Sequence, residues 1–488
     1  MKKLIILLCI AAMATSCDKQ IDKIRPLSKI DAEGQLSTLA GILEATNGTY
    51  VALSSSGSFT TYDAPWLNIN ESRGNNVTLQ EFGQINKDND AFFFRNSNDR
   101  LGGQSFDFYV GSYQVIVATN IVLEGIAKFE AGNLSILSAA DKDKLNYVKG
   151  ENLAIRAFTY FNLIRVYGKP YYQNAASSSG VPIKKTSDVK DIPAISTVKE
   201  VYDFIIGDLK KSAQLMKANV PKTNSYVNLQ TAWGTLSRVY LYMGGSVANP
   251  NADFNRAAVA YADSVIDQSN GKYQLLQAAN YTNMFGDDET GTLNRGVFSA
   301  NKEIIWANDN GVGGSSIGQL FHYDPLYDFG GLFVPSAEFK SLLANNDLRK
   351  TFLKPNPVSG FVETTKHLSK NMYSLTYSPM IYLRLAEVYL NRAEASAKLN
   401  DFAQAKADLK AIHTRAGLLG TDIDNLTNSE VIGAVLKERR IELAFEGHGS
   451  FDYFRNGLSM TRIAADNNGT ARTINADDAA VVFKVPSN

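Results

Sequence analysis

Three segments of the chain share one helical pattern, and this pattern constrains the fold more than any other feature of the sequence. Apolar residues recur in each segment at the spacing of an amphipathic α-helix. The segments are 144–167, 230–243 and 380–399. Each contains a small residue followed three positions later by a tyrosine: Ala157 and Tyr160, Ser237 and Tyr240, Ala386 and Tyr389. A small side chain lets a second helix approach closely while the tyrosine fills the gap beside it, so the pattern predicts paired helices.

This spacing is typical of the inner helix of a tetratricopeptide repeat, which needs a partner helix after each inner helix. The predicted partners are 198–216, 254–266 and, after a turn at Asn400-Asp401, the stretch through Phe402, Ala405 and Leu409. Further helices are predicted over 38–53, 108–129 and 429–445, the last entered through Thr427 or Asn428 as N-cap. The sequence therefore predicts a mainly α fold built from tetratricopeptide-type helix pairs.

Two long stretches interrupt the helical pattern. Residues 63–98 are rich in Asn, Gly and aromatic side chains, and residues 280–370 contain several glycines and short apolar runs. One of these runs, which ends at Trp306, is typical of a buried strand. Long irregular loops in a compact helical body usually carry function. We therefore expect the ligand-binding residues in these two insertions.

The N-terminus has the layout of a bacterial lipoprotein signal. Lys2 and Lys3 precede an apolar run over 4–13 that is too short to span a bilayer as a helix, and small residues then lead to Cys17. Small residues before a cysteine resemble a lipobox, in which the leader 1–16 is removed and Cys17 is acylated. The alternative is an ordinary secretory leader with an incidental cysteine. The other cysteine, Cys9, lies in the leader, so the mature chain would hold no disulfide.

Composition argues against several classes of function. The chain carries 49 basic and 49 acidic residues, so we do not expect a nucleic-acid partner. After the leader we expect no second apolar segment of membrane-spanning length. The four histidines are not paired at ligand spacing, so no metal site is expected. Phosphate-loop, dinucleotide and nucleophile-elbow motifs are absent from the sequence, which predicts neither a cofactor nor an enzyme.

Several strings resemble the SusD and RagB outer-membrane lipoproteins of Bacteroidetes. They include Arg156-Ala157-Phe158-Thr159-Tyr160-Phe161 leading to Val166-Tyr167-Gly168-Lys169-Pro170, Arg238-Val239-Tyr240-Leu241-Tyr242, and Leu383-Arg384-Leu385-Ala386-Glu387-Val388-Tyr389-Leu390. The most specific string is Glu438-Arg439-Arg440-Ile441-Glu442-Leu443-Ala444-Phe445-Glu446-Gly447-His448 running into Phe451-Asp452. Their order after a lipobox and helical repeats is the basis of the resemblance.

The resemblance implies a single SusD-like domain over 17–488, with a tetratricopeptide-type scaffold, long irregular loops near 63–98 and 280–370, and a few short strands. It also implies a non-catalytic lipoprotein on the cell-surface side of the outer membrane. Such a protein would bind a glycan and deliver it to a SusC-like TonB-dependent transporter. Two alternatives remain open: a RagB-like protein that binds peptides for import, and a helical-repeat scaffold for protein interactions.

The string around Glu438 combines carboxylates, arginines and a histidine, which raises the question of catalysis. On a helix through Val435 and Leu443, Arg439 lies on the apolar stripe and requires a carboxylate such as Glu442 or Glu387. A buried ion-pair network is therefore the preferred interpretation. We expect His448, at the end of that helix, to pack.

A glycan site needs aromatic faces for the C–H side of a sugar and amide, carboxylate or guanidinium groups for its hydroxyls. Both insertions contain such residues. The predicted ligand-binding residues are Tyr62, Trp66, Asn68, Asn70, Arg73, Tyr281, Tyr323 and Tyr327. Trp66 is the strongest candidate because a tryptophan in a polar, Asn-rich loop is not accounted for by packing in a helical core. The alternative is that Trp66 fixes the loop to the body. Trp233 and Trp306 are predicted to be core residues.

Overall fold

The fold is described from a computed structural model of the 488-residue chain. The structure describes residues 32–53, 62–81, 90–95, 103–269, 271–282, 284–285, 301–308, 317–324, 329–367 and 380–486. The predicted leader and Cys17 lie outside these residues. Within the described ranges the fold is mainly helical with a few short strands, as predicted.

Helices and strands are numbered here in chain order. The helices are α1 (Ala32–Gln35), α2 (Leu39–Leu53), α3 (Asp63–Ser72), α4 (Gln104–Asn133), α5 (Ala139–Tyr167), α6 (Val198–Leu215), α7 (Leu229–Met243), α8 (Ala252–Ile266), α9 (Ala278–Thr282), α10 (Ile317–Phe321), α11 (Ala337–Leu342), α12 (Leu385–Lys398), α13 (Phe402–Arg415), α14 (Gly420–Asp424), α15 (Asn428–Glu442) and α16 (Gly449–Phe454). The strands are β1 (Val77–Leu79), β2 (Ser179–Pro182), β3 (Ile195–Thr197), β4 (Ile304–Asn308), β5 (Tyr323–Asp324), β6 (Phe329–Gly330), β7 (Phe333–Pro335), β8 (Leu353–Pro355), β9 (Val362–Thr364), β10 (Met380–Arg384), β11 (Met460–Arg462) and β12 (Arg472–Ile474).

The strands form two-stranded antiparallel sheets, and the sheet of β4 with β10 lies in the core. The pairs are β1 with β7, β2 with β3, β4 with β10, β5 with β6, β8 with β9, and β11 with β12. In three of these pairs the two strands lie far apart in the chain or flank a long loop, so the strands hold the insertions against the helices.

The three predicted helix pairs are confirmed. α5 packs against α6, α7 against α8, and α12 against α13. The small residue of each pair is buried, and the Ser237 hydroxyl donates a 2.9 Å hydrogen bond to the Ala258 carbonyl on the facing helix. Such a contact is possible only when two helices lie close together. Beside it, Tyr240 stacks on Tyr261 with ring centroids 5.7 Å apart.

Helix ends follow local capping chemistry. Thr197, Asn228 and Thr427 each accept a backbone N–H in a capping box at the start of α6, α7 and α15, respectively. Of the two predicted caps for α15, Thr427 is therefore the residue used. Asn400 adopts a left-handed backbone conformation with φ of 63° at the predicted turn between α12 and α13.

Two predicted elements are wrong. Residues 380–384 form strand β10 and do not begin the third repeat helix. All five are buried, and four of them pair with residues of β4. A strand buried on both faces is a continuous apolar run, which resembles the start of a buried helix in sequence. The prediction of a buried strand at Trp306 is confirmed by β4. The other error is α3, which lies where an irregular loop was expected.

Helix α4 is long and apolar enough, by length and composition, to cross a bilayer. The sequence prediction that no such segment follows the leader is therefore wrong on these two criteria. Half of the apolar stretch is buried, and α4 packs against α2, α3 and α5. A helix that packs against three neighbouring helices in this way is typical of the core of a folded domain.

Candidate functional site

Five of the predicted ligand-binding residues lie on helix α3 or directly at its two ends, and the structure buries all of them. Trp66 is 3% exposed, and its indole meets the edge of the Tyr382 ring at a centroid distance of 6.4 Å. A Cβ atom added at Gly447 would lie 2.7 Å from the Trp66 ring, so the two residues are in close contact. Tyr62 is also buried and hydrogen-bonded to Asn162. These aromatic rings have no face for a sugar.

The polar residues of α3 are buried as well. Asn68 and Asn70 have no exposed surface. The Arg73 guanidinium lies between the rings of Phe94 and Phe483, at 4.7 and 4.4 Å from their centroids, and burial lowers its pKa to about 9. The expectation of an exposed binding loop is therefore wrong for this stretch. Periodicity could not reveal the helix because every residue of α3 is buried, polar and apolar alike.

Glu71 on α3 explains why this helix lies so deep. Its carboxylate accepts three backbone N–H groups, from Phe445 at 3.1 Å, Gly447 at 2.5 Å and His448 at 3.2 Å. Phe445 and Gly447 have positive φ values of 68° and 82°, so the backbone after α15 curls around the carboxylate. Burial nevertheless dominates and raises the pKa of Glu71 to about 7. The backbone after α15 therefore binds the Glu71 carboxylate and fixes α3 in the core.

The three predicted tyrosines of the second insertion, Tyr281, Tyr323 and Tyr327, differ in their surroundings. Tyr281 is buried, and its hydroxyl donates a 2.9 Å hydrogen bond to Glu442. Tyr327 lies outside the described residues. Tyr323, on β5, remains half-buried. Of the eight predicted ligand-binding residues, Tyr323 is therefore the one that the described structure leaves partly open to a ligand.

The Tyr323 face consists of Gln80, Tyr323, Asn356 and Phe361. The Asn356 amide donates to the Tyr323 carbonyl at 3.2 Å and to Glu363 at 3.0 Å. Glu363 also accepts the backbone N–H of Tyr323 at 3.0 Å. These bonds join the β5–β6 hairpin to the turn between β8 and β9. The arrangement fixes the backbone that carries Tyr323.

The remaining members of the Tyr323 face supply an amide and a second ring. Phe361 is 39% exposed, and its carbonyl accepts the Asn356 N–H at 2.8 Å. At Gly331 an added Cβ would lie 2.6 Å from the Gln80 side-chain oxygen and 3.2 Å from Tyr323 Cβ, so Gln80 lies against the hairpin. The Asn356 amide is used within the turn, since its oxygen also accepts the N–H groups of Val358 and Ser359. Two partly exposed aromatic rings beside the Gln80 amide match the chemistry by which proteins bind sugars.

The family string forms a buried ion-pair network. Glu442 accepts hydrogen bonds from Arg384 at 2.7 Å and Arg415 at 2.5 Å, and the same arginines reach Glu303 at 2.9 and 2.5 Å. All four side chains are fully buried. Burial would raise the pKa of Glu442, but Arg415, Arg384 and Arg349 hold it well below its usual value. The predicted ion-pair network is confirmed.

The predicted partners of Arg439 are wrong. Arg439 contacts Asp452 at 2.7 Å and Asn391 at 2.7 Å, while Glu387 pairs with Arg238 at 2.5 Å. Local spacing suggested Glu442, but that carboxylate faces the arginines of other segments. The expectation that His448 packs is confirmed, since the side chain is buried at the start of α16.

A large groove, called the α4 groove here, lies between α4 and the connection from β2 to β3. It encloses about 890 Å³ and is lined mainly by apolar side chains, among them Tyr109 and Tyr113. Val189 and Ile192 on its rim are 82% and 71% exposed. Within the described ranges, no group of three His, Cys, Asp or Glu residues is arranged to hold a metal ion.

Two family models match the chain. The SusD family model matches residues 357–487, and a model described as starch-binding associating with outer membrane matches residues 56–241. Together they cover more than half of the chain, including α3, the pairs α5 with α6 and α12 with α13, and the Glu438 string. The expectation of a SusD-like protein is confirmed: the chain belongs to the SusD-like family.

Individual relatives match along nearly the whole length. The SusD-like protein P2 of Formosa agariphila is 24% identical over 476 residues, which is 88% of this chain and 86% of the relative. A SusD superfamily protein from Bacteroides thetaiotaomicron is 26% identical, with a TM-score of 0.76 over 91% of this chain and 96% of that protein. A Bacteroides vulgatus protein, described provisionally as sugar-binding, is 26% identical with a TM-score of 0.75 over 91% and 94% of the two chains.

Proposed function

We propose that this chain is a lipid-anchored, surface-exposed protein of the outer membrane that binds an oligo- or polysaccharide and delivers it to a SusC-like TonB-dependent transporter. The observation that carries this proposal is similarity along nearly the whole chain to SusD-like proteins. It includes a family described as starch-binding and associated with the outer membrane. A match of this extent covers the loops as well as the helical scaffold.

The Tyr323 face is the proposed sugar-binding surface among the described residues. Its rings can pack on the C–H side of a sugar, and the Gln80 amide can bond to hydroxyls. Glu363 holds the backbone of the face in place. Tyr327, which follows in the same β5–β6 segment, is proposed as a further contact. Tyr62, Trp66, Asn68, Asn70, Arg73 and Tyr281 are not proposed as contacts, because sugar could reach them only if the core opened.

The proposed function does not include bond cleavage. Glycoside hydrolysis requires two carboxyl groups facing a substrate across an accessible cleft. The carboxylates of the Glu438 string are instead buried and bonded to guanidinium groups, as shown by Glu442 between Arg384 and Arg415. Their pKa values are held low by these cations, so they are poorly suited to donate a proton.

Acylation of Cys17 is the proposed attachment to the membrane. Stable anchoring by lipid needs about two acyl chains, at roughly 0.8 kcal/mol for each buried CH₂. An anchor at one end of a single domain over 17–488 would keep the Tyr323 face near the transporter and raise the effective concentration of each for the other.

A panel of polysaccharides tests the proposal. The detergent-extracted full-length protein is run in affinity gels that contain each polysaccharide, beside Tyr323→Ala and the control Tyr172→Ala, a half-buried tyrosine on a different surface. We expect retardation of the wild type and control by one polysaccharide and weaker retardation of Tyr323→Ala. New reducing ends after incubation would contradict the non-catalytic role. Failure of every polysaccharide to retard the wild type would contradict glycan binding.

Copurification tests the transporter. Gentle extraction of outer membranes should recover the protein together with a TonB-dependent transporter. If the protein elutes alone under these conditions, the proposed association with a transporter is contradicted.

Peptide binding is a second candidate because the α4 groove is large and mainly apolar. Such a groove suits apolar peptide side chains better than sugar hydroxyls. If peptides are the cargo, a mixture of oligopeptides should bind to the wild type, and Ile192→Asp on the rim should weaken binding while Tyr323→Ala leaves it unchanged. The reverse pattern with a polysaccharide supports the glycan proposal.

A further inference from the structure

The outer side of α4 is apolar, and no element within the described ranges covers it. Along the α4 groove, Ile121 is 37% exposed, and Val189, Ile192 and Ile195 on the facing connection from β2 to β3 are 82%, 71% and 54% exposed. Large exposed apolar patches mark interaction sites in folded proteins. The inner side of α4 already packs against α2, α3 and α5, so the outer side needs an occupant of its own.

The apolar surface continues beyond the α4 groove to the place where the described chain begins. Ile121 also lines a second hollow of about 470 Å³, which follows α4 as far as Asn133. Leu36 lies in this hollow, and a Cβ added at Gly125 would lie 2.6 Å from Leu36 Cδ1. The α4 groove and this hollow are together called the α4 strip. The described chain begins at Ala32, four residues before Leu36, so the preceding segment joins the body at the α4 strip.

Residues 18–31, which precede α1, lie outside the described residues but have a regular sequence pattern. Every third position is apolar, and the positions between them are charged, polar or proline. The apolar positions are Ile21, Ile24, Leu27 and Ile30. A period of three matches a polyproline II helix and fits neither an α-helix nor a strand. Pro26 favours the same conformation, because the residue before a proline is disfavoured in the α region. All four apolar side chains would then share one side.

The dimensions of this segment fit the α4 strip. From Ile21 to Ile30 there are nine residues at about 3.1 Å each, which is about 28 Å in polyproline II. From Tyr109 to Gly125, α4 advances about 24 Å at 1.5 Å per residue. Tyr109 and Tyr113 line the groove with ring centroids 4.8 Å apart, and polyproline II segments dock in aromatic-lined grooves.

We propose that residues 18–31 lie along the α4 strip in a polyproline II conformation, with their apolar side facing α4 and the connection from β2 to β3. Ile30 lies near Gly125 and Ile21 near Tyr109. An oligopeptide or a second copy of the chain would have to compete with a segment that is already joined to the strip and therefore present at high effective concentration.

Docking of this segment would shorten the tether between the body and the membrane. Residues 17–20 would remain free and reach at most about 14 Å, whereas residues 17–31 would reach about 50 Å if all of them were free. The lipid would therefore leave the body beside Tyr109 and hold that end of α4 close to the membrane. This consequence rests on the proposed acylation of Cys17, but the docking itself does not.

Trypsin digestion of the full-length protein in phosphatidylcholine vesicles tests the docking. Vesicles replace detergent because detergent binds apolar surfaces. Trypsin cuts a free segment after Lys23 and Lys29, and mass spectrometry measures the two rates. The double variant Ile21→Ser, Leu27→Ser keeps the residues next to both cut sites and should be cut at least tenfold faster than the wild type. A wild type that is cut as fast as this variant would overturn the proposal.

Changes on the body supply a second comparison. Ile192→Asp places a charge on the α4 strip and should also speed cleavage after Lys23 and Lys29. Ile136→Asp is the matched control, because Ile136 is 78% exposed and lies beyond the end of α4, outside the strip. The control should be cut at the wild-type rate. Equal rates in the two variants would overturn the assignment of the segment to this surface.

Disulfide formation tests the position of the segment directly. Ile21→Cys is combined with Ile192→Cys or with Ile136→Cys. A free tail of 15 residues has a root-mean-square reach of about 21 Å, and Ile136 lies only about 16 Å along the helix axis from Gly125. A free tail would therefore form both disulfides. We expect the Ile192 pair to form at least tenfold faster, and equal rates would overturn the proposal.

The other occupants give different results. Disulfide-linked dimers on a non-reducing gel would assign the α4 strip to a second copy and overturn the proposal. Rapid cleavage of the wild-type segment, together with oligopeptide binding that Ile192→Asp weakens, would assign the strip to cargo. The double variant Ile21→Ser, Leu27→Ser should keep wild-type retardation by polysaccharide, so failure of this docking and failure of the glycan surface are separate results.

Discussion

Replacing Glu442 with glutamine removes one charge from the centre of the buried ion-pair network while keeping the side-chain size. One carboxylate oxygen bonds to Arg384 and Arg415, and the other accepts the Tyr281 hydroxyl at 2.9 Å and lies 3.4 Å from Arg349. In glutamine an NH₂ group replaces one of these two oxygens. Its N–H groups would then point at other hydrogen-bond donors, either those of Arg384 and Arg415 or those of Tyr281 and Arg349. The variant therefore loses both charge balance and hydrogen bonds.

The expected loss of unfolding free energy is large. Removing one partner of a buried ion pair costs about 3–5 kcal/mol, because the remaining charge stays buried without compensation. Arg415 keeps Glu303 at 2.5 Å, and Arg384 keeps Glu303 and Glu446, so the network is weakened but not abolished. We therefore expect a loss in that range for Glu442→Gln.

Equilibrium urea unfolding, followed by tryptophan fluorescence, measures this loss. Trp306 reports on the core, where it packs against Phe158 at a centroid distance of 5.0 Å. Glu44→Gln, an exposed glutamate on α2, is the control and should lie within about 0.5 kcal/mol of the wild type. A Glu442→Gln protein that unfolds within the same margin would refute the structural role assigned to the network.

Three further changes test the packing around α3. Burial raises the pKa of Glu71 from 4.5 to about 7, so stability that is present below pH 4.5 is lost as the pH rises to 7. Glu71→Gln cannot ionise and should gain up to about 3 kcal/mol relative to the wild type between pH 4.5 and pH 8, at about 1.36 kcal/mol per pKa unit; a difference that does not vary with pH would contradict this. Trp66→Ala should lower the free energy of unfolding in urea by about 3–5 kcal/mol and leave polysaccharide affinity unchanged. A variant that is as stable as the wild type but binds polysaccharide more weakly would indicate that Trp66 contacts the ligand. Gly447→Ala should lower the melting temperature because its backbone has a φ of 82° and the added Cβ would meet the Trp66 ring at 2.7 Å; an unchanged melting temperature would contradict that contact.

The scaffold was predictable because its signals are local. Small residues such as Ala157 and Ser237 occur at fixed spacing from tyrosines on amphipathic helices, and Thr427 marks a helix start by capping chemistry. By contrast, β10 was misread because a strand buried on both faces lacks the alternation that identifies strands. These residues form a strand because they pair with β4, which lies far away in the chain, and local sequence does not reveal such a pairing.

The candidate site was only partly predictable for the same reason. Asn68 and Asn70 have the composition of a polar loop, and their burial depends on Glu71 reaching a backbone turn more than 370 residues further along the chain. Tyr281 has the composition of a sugar-binding residue, yet Glu442 recruits its hydroxyl into the ion-pair network. Spacing along a sequence does not reveal such partners, so most of the residues that composition selected are buried in the structure.

The central claim is that the chain captures an intact glycan on the Tyr323 face. A crystal structure of the full-length protein with an oligosaccharide from the polysaccharide that retards it tests this claim most directly. We predict an uncleaved sugar packed on Tyr323, with the Gln80 amide bonded to its hydroxyls. A sugar bound only in the α4 groove or beside α3, or a cleaved product at any position, would contradict it.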